Sequence, residues 1–262
     1  MSPLPRWRWW IHLFLLSAFP LGVGVLGFFR KPDAGGPLLP ENITGLLLVS
    51  VRELAIFTLL MALAWSASRF NTGQLLLKWR GGARPMLLGF AYSIGLRLGI
   101  ALLAAMAAVI WFGLHGSLSA SDLQRARPEV EQLVSPNALG NPLYLALVMT
   151  LISFVVAGLR EELWRACMLA GVRQLFPRQF ATAWGKAFAI AGVAVIFGLG
   201  HAVQGGAAIV ATALLGAGLG TIMVLHRSIW EAVLAHGFFD ATSFGLLCLV
   251  AKFLPQALHG GG

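Results

Sequence analysis

Residues 143–170 read LYLALVMTLISFVVAGLREELWRACMLA. No charge occurs from Leu143 to Leu159; then Arg160, Glu161, Glu162 and Arg165 fall within six positions, and the apolar run resumes as ACMLAGV. A helix needs about 20 mostly apolar residues to cross a bilayer. The stretch is therefore long enough to span, and it carries charges where a spanning helix tolerates them only with a partner or a task.

The rest of the chain has the same character. Of its 262 residues 58% are hydrophobic and 11% charged, with a mean hydropathy of +0.80. An ordinary soluble domain carries about 25% charged residues. This composition cannot cover a soluble core with a polar surface, which excludes a soluble enzyme, a disordered chain and a secreted disulfide scaffold. Seven segments are long and apolar enough to span, at roughly 10–29, 44–66, 86–113, 143–170, 184–204, 206–225 and 229–254. The expected fold is all-α, a polytopic transmembrane helical bundle of about seven spans forming a single integral membrane domain over 1–262. The first segment follows Arg6 and Arg8, as a signal peptide would. Its apolar run is longer than a typical signal core, and Arg30-Lys31 follows without a small-residue cleavage site, so it reads as a retained helix.

The formal charge of +9 fits basic loops facing anionic lipid, with no nucleic-acid partner. With the N-terminus inside, the inner side holds Arg6, Arg8, Arg69, Lys78, Arg80, Arg84, Arg173, Arg178, Lys186 and Arg227; the outer side holds only Arg30, Lys31, Arg125, Arg127 and Lys252. This bias predicts a cytoplasmic N-terminus and an external C-terminus. Trp7, Trp9, Trp10, Trp79 and Trp184 stand near span ends as interfacial anchors. In the longest loop, about 115–142, Leu123, Val130, Leu133 and Val134 suggest a short surface helix interrupted near Pro128. Cys167 and Cys248 lie in apolar stretches and read as packing residues.

The ionisable residues inside spans are few: Arg52, Glu53, Arg97, the cluster at 160–165, His201, Glu231, His236 and Asp240. Glu161 and Arg165 are four apart and share a helix face, and Glu162 with Arg165 is also within reach. Adjacent glutamates point about 100° apart, so one can face a cavity while an arginine holds the other. A buried salt bridge explains one Glu–Arg pair well and two of each in one turn poorly. Arg97 is expected to pair with Glu53 or to line a cavity, with no catalytic role. Phe197 and His201 share one face at the end of the fifth span, within a glycine-rich GLGHAVQGG. His236 and Asp240 are one turn apart in the seventh, where the carboxylate can accept from one ring nitrogen and leave the other to face water or a metal. A carboxylate with two imidazoles suits zinc, with Glu161, His201 and His236 as the ligand set. The same residues suit a metal-free site in which a glutamate activates water and the histidines steady an oxyanion. Either arrangement hydrolyses. HExxH, GxSxG and paired intramembrane aspartates are all missing from the sequence.

Glu161-Glu162…Arg165, Phe197-Gly-Leu-Gly-His201 and His236-Gly-Phe-Phe-Asp240, in this order, resemble the CPBP family of CAAX prenyl endopeptidases and bacteriocin-processing or immunity proteins, of the ABI type. Ser228-Ile-Trp-Glu-Ala-Val-Leu-Ala-His236 is similar to that family's lead-in to its last motif, and the resemblance covers about 143–245 as the catalytic core. One departure is visible: the family places three residues between its glutamate pair and its arginine, and here only Leu163 and Trp164 intervene. Matching the arginine instead puts Glu161 at the family's second glutamate. Both glutamates are therefore candidate bases, with Glu161 ahead. The resemblance implies an intramembrane endopeptidase in which Glu161 or Glu162 activates water. His201 and His236 would bind a metal or the oxyanion, and Arg165 and Asp240 would orient them. Eukaryotic relatives trim three residues after a prenylated cysteine. This short, Trp-rich chain reads as a bacterial inner-membrane protein, for which a membrane-associated peptide or small protein is the expected substrate. The competing readings are a non-catalytic immunity or scaffold protein of the same fold, and a transporter. One tension is vertical: His201 ends its span and His236 begins its own, which a simple count places far apart in depth.

Overall fold

The computed structural model describes residues 5–29, 37–79, 81–117, 119, 122 and 133–253, the side chain of Phe28 excepted. The loop arginines and lysine Arg30, Lys31, Arg80, Arg125 and Arg127 lie outside this set, as does most of the surface helix expected around Pro128. The described chain is helical, with α1 at Arg6–Phe29, α2 at Ile43–Ser68, α3 at Arg84–His115 and α4 at Pro142–Leu175. A five-residue α5 at Pro177–Ala181 leads to α6 at Ala183–Leu199, α7 at Gly206–His226 and α8 at Trp230–Phe253. No strand occurs among the described residues.

Six of these helices are long and apolar enough to cross a membrane; α6, one of the seven expected spans, has 17 residues and falls short of that length. Its start is set by Thr182, whose hydroxyl accepts from the Gly185 amide at 3.0 Å and so satisfies a free N-terminal donor. Its end comes five residues before the expected 204. After Leu199 the chain turns through Gly200 and a short 3₁₀ turn at Ala202–Gln204, then leaves at Gly205 with φ of 91°. That backbone favours glycine, and it places His201 in the turn rather than inside the helix.

The surface is apolar where a soluble protein would be polar. Phe14, Leu26, Leu87, Val109, Phe188 and Leu225 are all at least 70% exposed, as helices facing lipid require. Inside, α8 packs against α3 and the first half of α4, α6 pairs with α7, and α1 packs on α2 and on the second half of α4. Cys167 and Cys248 are free thiols packed among apolar neighbours, Cys167 with its sulfur 3.6 Å from that of Met61. His12, buried in α1, ties three helices together. Its Nε2 is 2.9 Å from the Cys167 carbonyl on α4, and its Nδ1 is 3.0 Å from the Ser68 hydroxyl on α2.

α4 is not a uniform α-helix. Val148–Leu159 is wound as a π-helix, and the Ser153 hydroxyl donates back to the Val148 carbonyl, five residues earlier, at 2.8 Å. π turns are rare and recur beside functional sites. This one hands over to α-helical geometry at Arg160, the first of the clustered charges. Close approach of α4 and α8 occurs at two glycines. A Cβ on Gly158 would sit 3.0 Å from the Val233 carbonyl oxygen, and one on Gly237 would overlap the Phe154 ring. Those contacts set the distance across which Glu162 and His236 meet.

Candidate active site

Every candidate residue comes from α4, from the end of α6 and its turn, or from α8. Arg165 and Glu162 are both fully buried and form an ion pair through Nη1 and Oε1. The α-helical face sharing of Glu161 with Arg165 is therefore not used. The arginine is directed by two neighbouring helices: its guanidinium carbon lies 4.5 Å above the Phe197 ring of α6, a cation–π contact, and its stem rests on α7. A Cβ on Gly216 would come within 2.9 Å of Phe197 and 3.4 Å of Arg165 Nη2, and one on Gly220 within 3.5 Å of Arg165 Cδ. The two glycines make room for the arginine.

The Glu162 oxygen that pairs with Arg165 also lies 3.0 Å from His236 Nδ1. A carboxylate only accepts, so Nδ1 carries the hydrogen and Nε2 is left for other work. Nε2 points between two further carboxylates, Asp240 at 3.6 Å and Glu161 at 3.8 Å. The carboxylate that fixes the ring is thus Glu162, across the helix seam. Asp240, one turn along the same helix, stands beyond hydrogen-bond length.

Glu161 turns away from Arg165. Its Oε1 pairs with Arg160 Nη2 at 2.7 Å, and Arg160 Nη1 reaches Glu53 Oε2 on α2 at 3.0 Å. Arg97 does not meet Glu53. It donates to the Phe239 carbonyl at 2.8 Å and to the Thr242 and Ser243 hydroxyls at 2.7 and 3.1 Å, all on α8, one to three residues from Asp240. The pattern of spans could not foresee this, because the partners are ordinary hydroxyls and a backbone oxygen.

His201 Nδ1 is 2.9 Å from the Phe197 carbonyl. A carbonyl cannot donate, so Nδ1 bears the hydrogen, and the neutral ring presents a lone pair at Nε2. Its ring packs edge-on against Phe197 at 4.7 Å, and Phe197 in turn packs edge-on against His236 at 6.4 Å. The vertical tension is resolved through this phenylalanine. Phe197 lies about 21 Å along α6 and His236 about 9 Å along α8, counting 1.5 Å per residue. The two helices therefore start at different distances from the site.

Residues 142–242, which include all six candidate residues, match the Rce1-like family, described as type II CAAX prenyl endopeptidase Rce1-like. This segment is a Rce1-like domain. At the family level it is the domain of CAAX-type intramembrane proteases, and the chain carrying it is an integral membrane protein. Comparison with curated proteins and with solved structures gives no match. Glu53 and Arg97 belong to helices outside the Rce1-like domain. Sequence reasoning singled them out as intramembrane charges without connecting either to the site, and it passed over His12.

Three donors of a zinc set would have to converge on one point. Among the described residues no group of three or more His, Cys, Asp and Glu side chains is arranged to hold a metal ion. Both nitrogens of His236 face carboxylates. What the arrangement offers instead is a carboxylate with one oxygen free of hydrogen bonds among the described residues, Glu161 Oε2, beside two imidazoles whose Nδ1 hydrogens are already committed.

Proposed function

We propose that this protein is an intramembrane endopeptidase that hydrolyses a membrane-associated peptide or small protein, with Glu161 as the general base. The observation that carries the reading is the division of labour between adjacent glutamates. Glu162 is fully buried, with Oε1 engaged by Arg165 and His236 and Oε2 shut away without a partner among the described residues, whereas Glu161 is 15% exposed and keeps its unbonded Oε2 where water can reach it. A base needs a free oxygen within reach of water. The attacking water donates one hydrogen to Glu161 Oε2 and the other to the lone pair of His201 Nε2, on the ring whose Nδ1 is held by the Phe197 carbonyl. As the water oxygen bonds to the scissile carbonyl carbon, its proton passes to Glu161. His236, steadied through Nδ1 by Glu162, presents Nε2 to the developing oxyanion when it carries a proton. Collapse breaks the C–N bond, and the proton held by Glu161 is delivered to the leaving amine. Arg165 and Asp240 orient these groups. Every step uses side chains of this chain alone.

Burial in a bundle at membrane depth supports a substrate that reaches the site from the bilayer. The excess of basic residues on one side supports a cytoplasmic N-terminus in a bacterial inner membrane. The test is cleavage by the purified chain, in lipid nanodiscs, of internally quenched peptides ending in Cys-aliphatic-aliphatic-X, with and without a farnesyl group on the cysteine. Cleavage of either peptide that is lost in Glu161→Gln supports the reading. A wild-type chain that cleaves neither overturns it in favour of a non-catalytic immunity or scaffold protein.

A further inference from the structure

Four charges from two helices alternate in sign along the seam between α2 and α4. Arg52 Nη2 contacts Glu53 Oε1 at 2.9 Å, Glu53 Oε2 contacts Arg160 Nη1 at 3.0 Å, and Arg160 Nη2 contacts Glu161 Oε1 at 2.7 Å. Each carboxylate pairs through one oxygen with each arginine it meets. Glu53 sits on α2, which lies outside the Rce1-like domain, and it is the one acidic residue within α1, α2 and α3. A carboxylate there is costly without a task. Its side chain and those of Arg160 and Glu161 are 22%, 18% and 15% exposed, so these pairs are shielded and not loose surface contacts.

The guanidinium of arginine is a planar fork that binds a carboxylate through two parallel hydrogen bonds when nothing else competes. Glu53 holds Nη1 at 3.0 Å and so fixes the orientation of the guanidinium, and in that orientation only Nη2 reaches Glu161, through Oε1 at 2.7 Å. We infer that Glu53 is a positioning residue for the reaction: by holding one arm of Arg160 it keeps Glu161 Oε2 free to accept the proton of the attacking water. The inference rests on the reading of Glu161 as the base. It assigns to the first three helices a role in the chemistry, exercised through Arg160.

The experiment compares Glu53→Ala, Glu53→Gln, Arg160→Met and the Ala/Met double variant in the nanodisc assay with the farnesylated and unfarnesylated peptides, alongside Glu161→Gln. Glu53→Ala should lower kcat by about tenfold to a hundredfold with KM nearly unchanged, the scale expected when a reacting group is held out of place. Glu53→Gln keeps an oxygen for Arg160 Nη1 and should recover most of that loss. With Arg160 replaced by Met there is no fork to hold back, so adding Glu53→Ala should change kcat less than twofold, a non-additivity expected of residues acting through one partner. Equal losses in Glu53→Ala and Glu53→Gln, a loss confined to KM, additive effects in the double variant, or failure of both Glu53 variants to fold would each overturn the inference. Unchanged kcat in Glu53→Ala with no activity in Glu161→Gln would overturn it while leaving the base in place. Full activity in Glu161→Gln would overturn the base and the inference together.

Discussion

Glu162 and His236 meet across the seam between α4 and α8, oxygen to Nδ1 at 3.0 Å, with both side chains at least 96% buried. The same carboxylate oxygen carries the ion pair with Arg165. One buried acid therefore joins the two halves of the site. It orients the histidine, and it neutralises an arginine that has no other carboxylate among its described ion-pair partners. Glu161, next to it in the chain, has a different set of partners, and it is 15% exposed where Glu162 is fully buried. The two glutamates should fail in different ways when replaced.

Glu161→Gln should leave the bundle folded and reduce turnover of the quenched peptides by about 10²–10⁴-fold, the range that general acid–base catalysis contributes. Glu162→Gln should instead destabilise. Removing one partner of a buried ion pair leaves the other charged and uncompensated, at a cost of about 3–5 kcal/mol. Thermal unfolding in nanodiscs, read beside the cleavage rate, separates the two. A stable, inactive Glu162→Gln with an active Glu161→Gln would reverse the assignment.

The asymmetry was only half legible in the sequence. Intramembrane charge is conspicuous, so Glu161, Glu162, Arg165, His201, His236 and Asp240 stand out from apolar surroundings by their cost alone, and the helical bundle follows from composition. Which glutamate takes Arg165 does not follow. Separations of three and four both suit an α-helix, and the choice is made by Phe197 on α6 and by the gap at Gly216 and Gly220 on α7. Those residues are apolar or lack a side chain, and nothing in their local pattern announces an arginine. The end of α6 was missed for a related reason. His201 and Gln204 break the apolar pattern only briefly within GLGHAVQGG, whereas the helix itself stops at Leu199 and the chain passes into a 3₁₀ turn that closes at Gly205.

Gly216→Val tests the socket directly. Its Cβ alone would press on Phe197 at 2.9 Å, and the added methyls would crowd the guanidinium. Overpacking of this kind costs about 1–3 kcal/mol. Displacement of Arg165 should lower kcat as well, although position 216 touches no reacting atom. Gly22→Val, on α1 where an added Cβ meets nothing within 4 Å, is the control and should match wild type in both stability and rate.

Metal content discriminates the two hydrolytic chemistries that the residue types allow. His236 faces carboxylates through both nitrogens, and no three-donor set forms among the described residues. Protein purified without chelator should carry zinc and other transition metals well below one per chain. Cleavage should also survive incubation with a strong chelator such as 1,10-phenanthroline. Stoichiometric zinc that falls away in both His201→Ala and His236→Ala would establish a ligand set and replace the glutamate–water mechanism with a metal-assisted one.

Topology rests on α6. At 17 residues it is about 25 Å long, against a hydrocarbon core of about 30 Å. Its position argues for crossing. Thr182 caps its start beside Arg178 and Lys186, the charged end, and Trp184 at that end is 77% exposed. Its other end packs on α1, where a Cβ on Gly24 or Gly27 would clash with Leu199 and Val203. Those glycines lie in the last turns of α1, the end that leads toward the outer side if the N-terminus is inside. With the N-terminus inside, α6 would run from the inner, basic side to the outer side alongside α1, and the Gly200–Gly205 turn would make up the shortfall. Seven crossings put the two termini on opposite sides, whereas six would return both to the same side. A reporter fused after residue 262 should read external and one at about residue 75 cytoplasmic. A cytoplasmic signal from both would mean that α6 enters the membrane without crossing it.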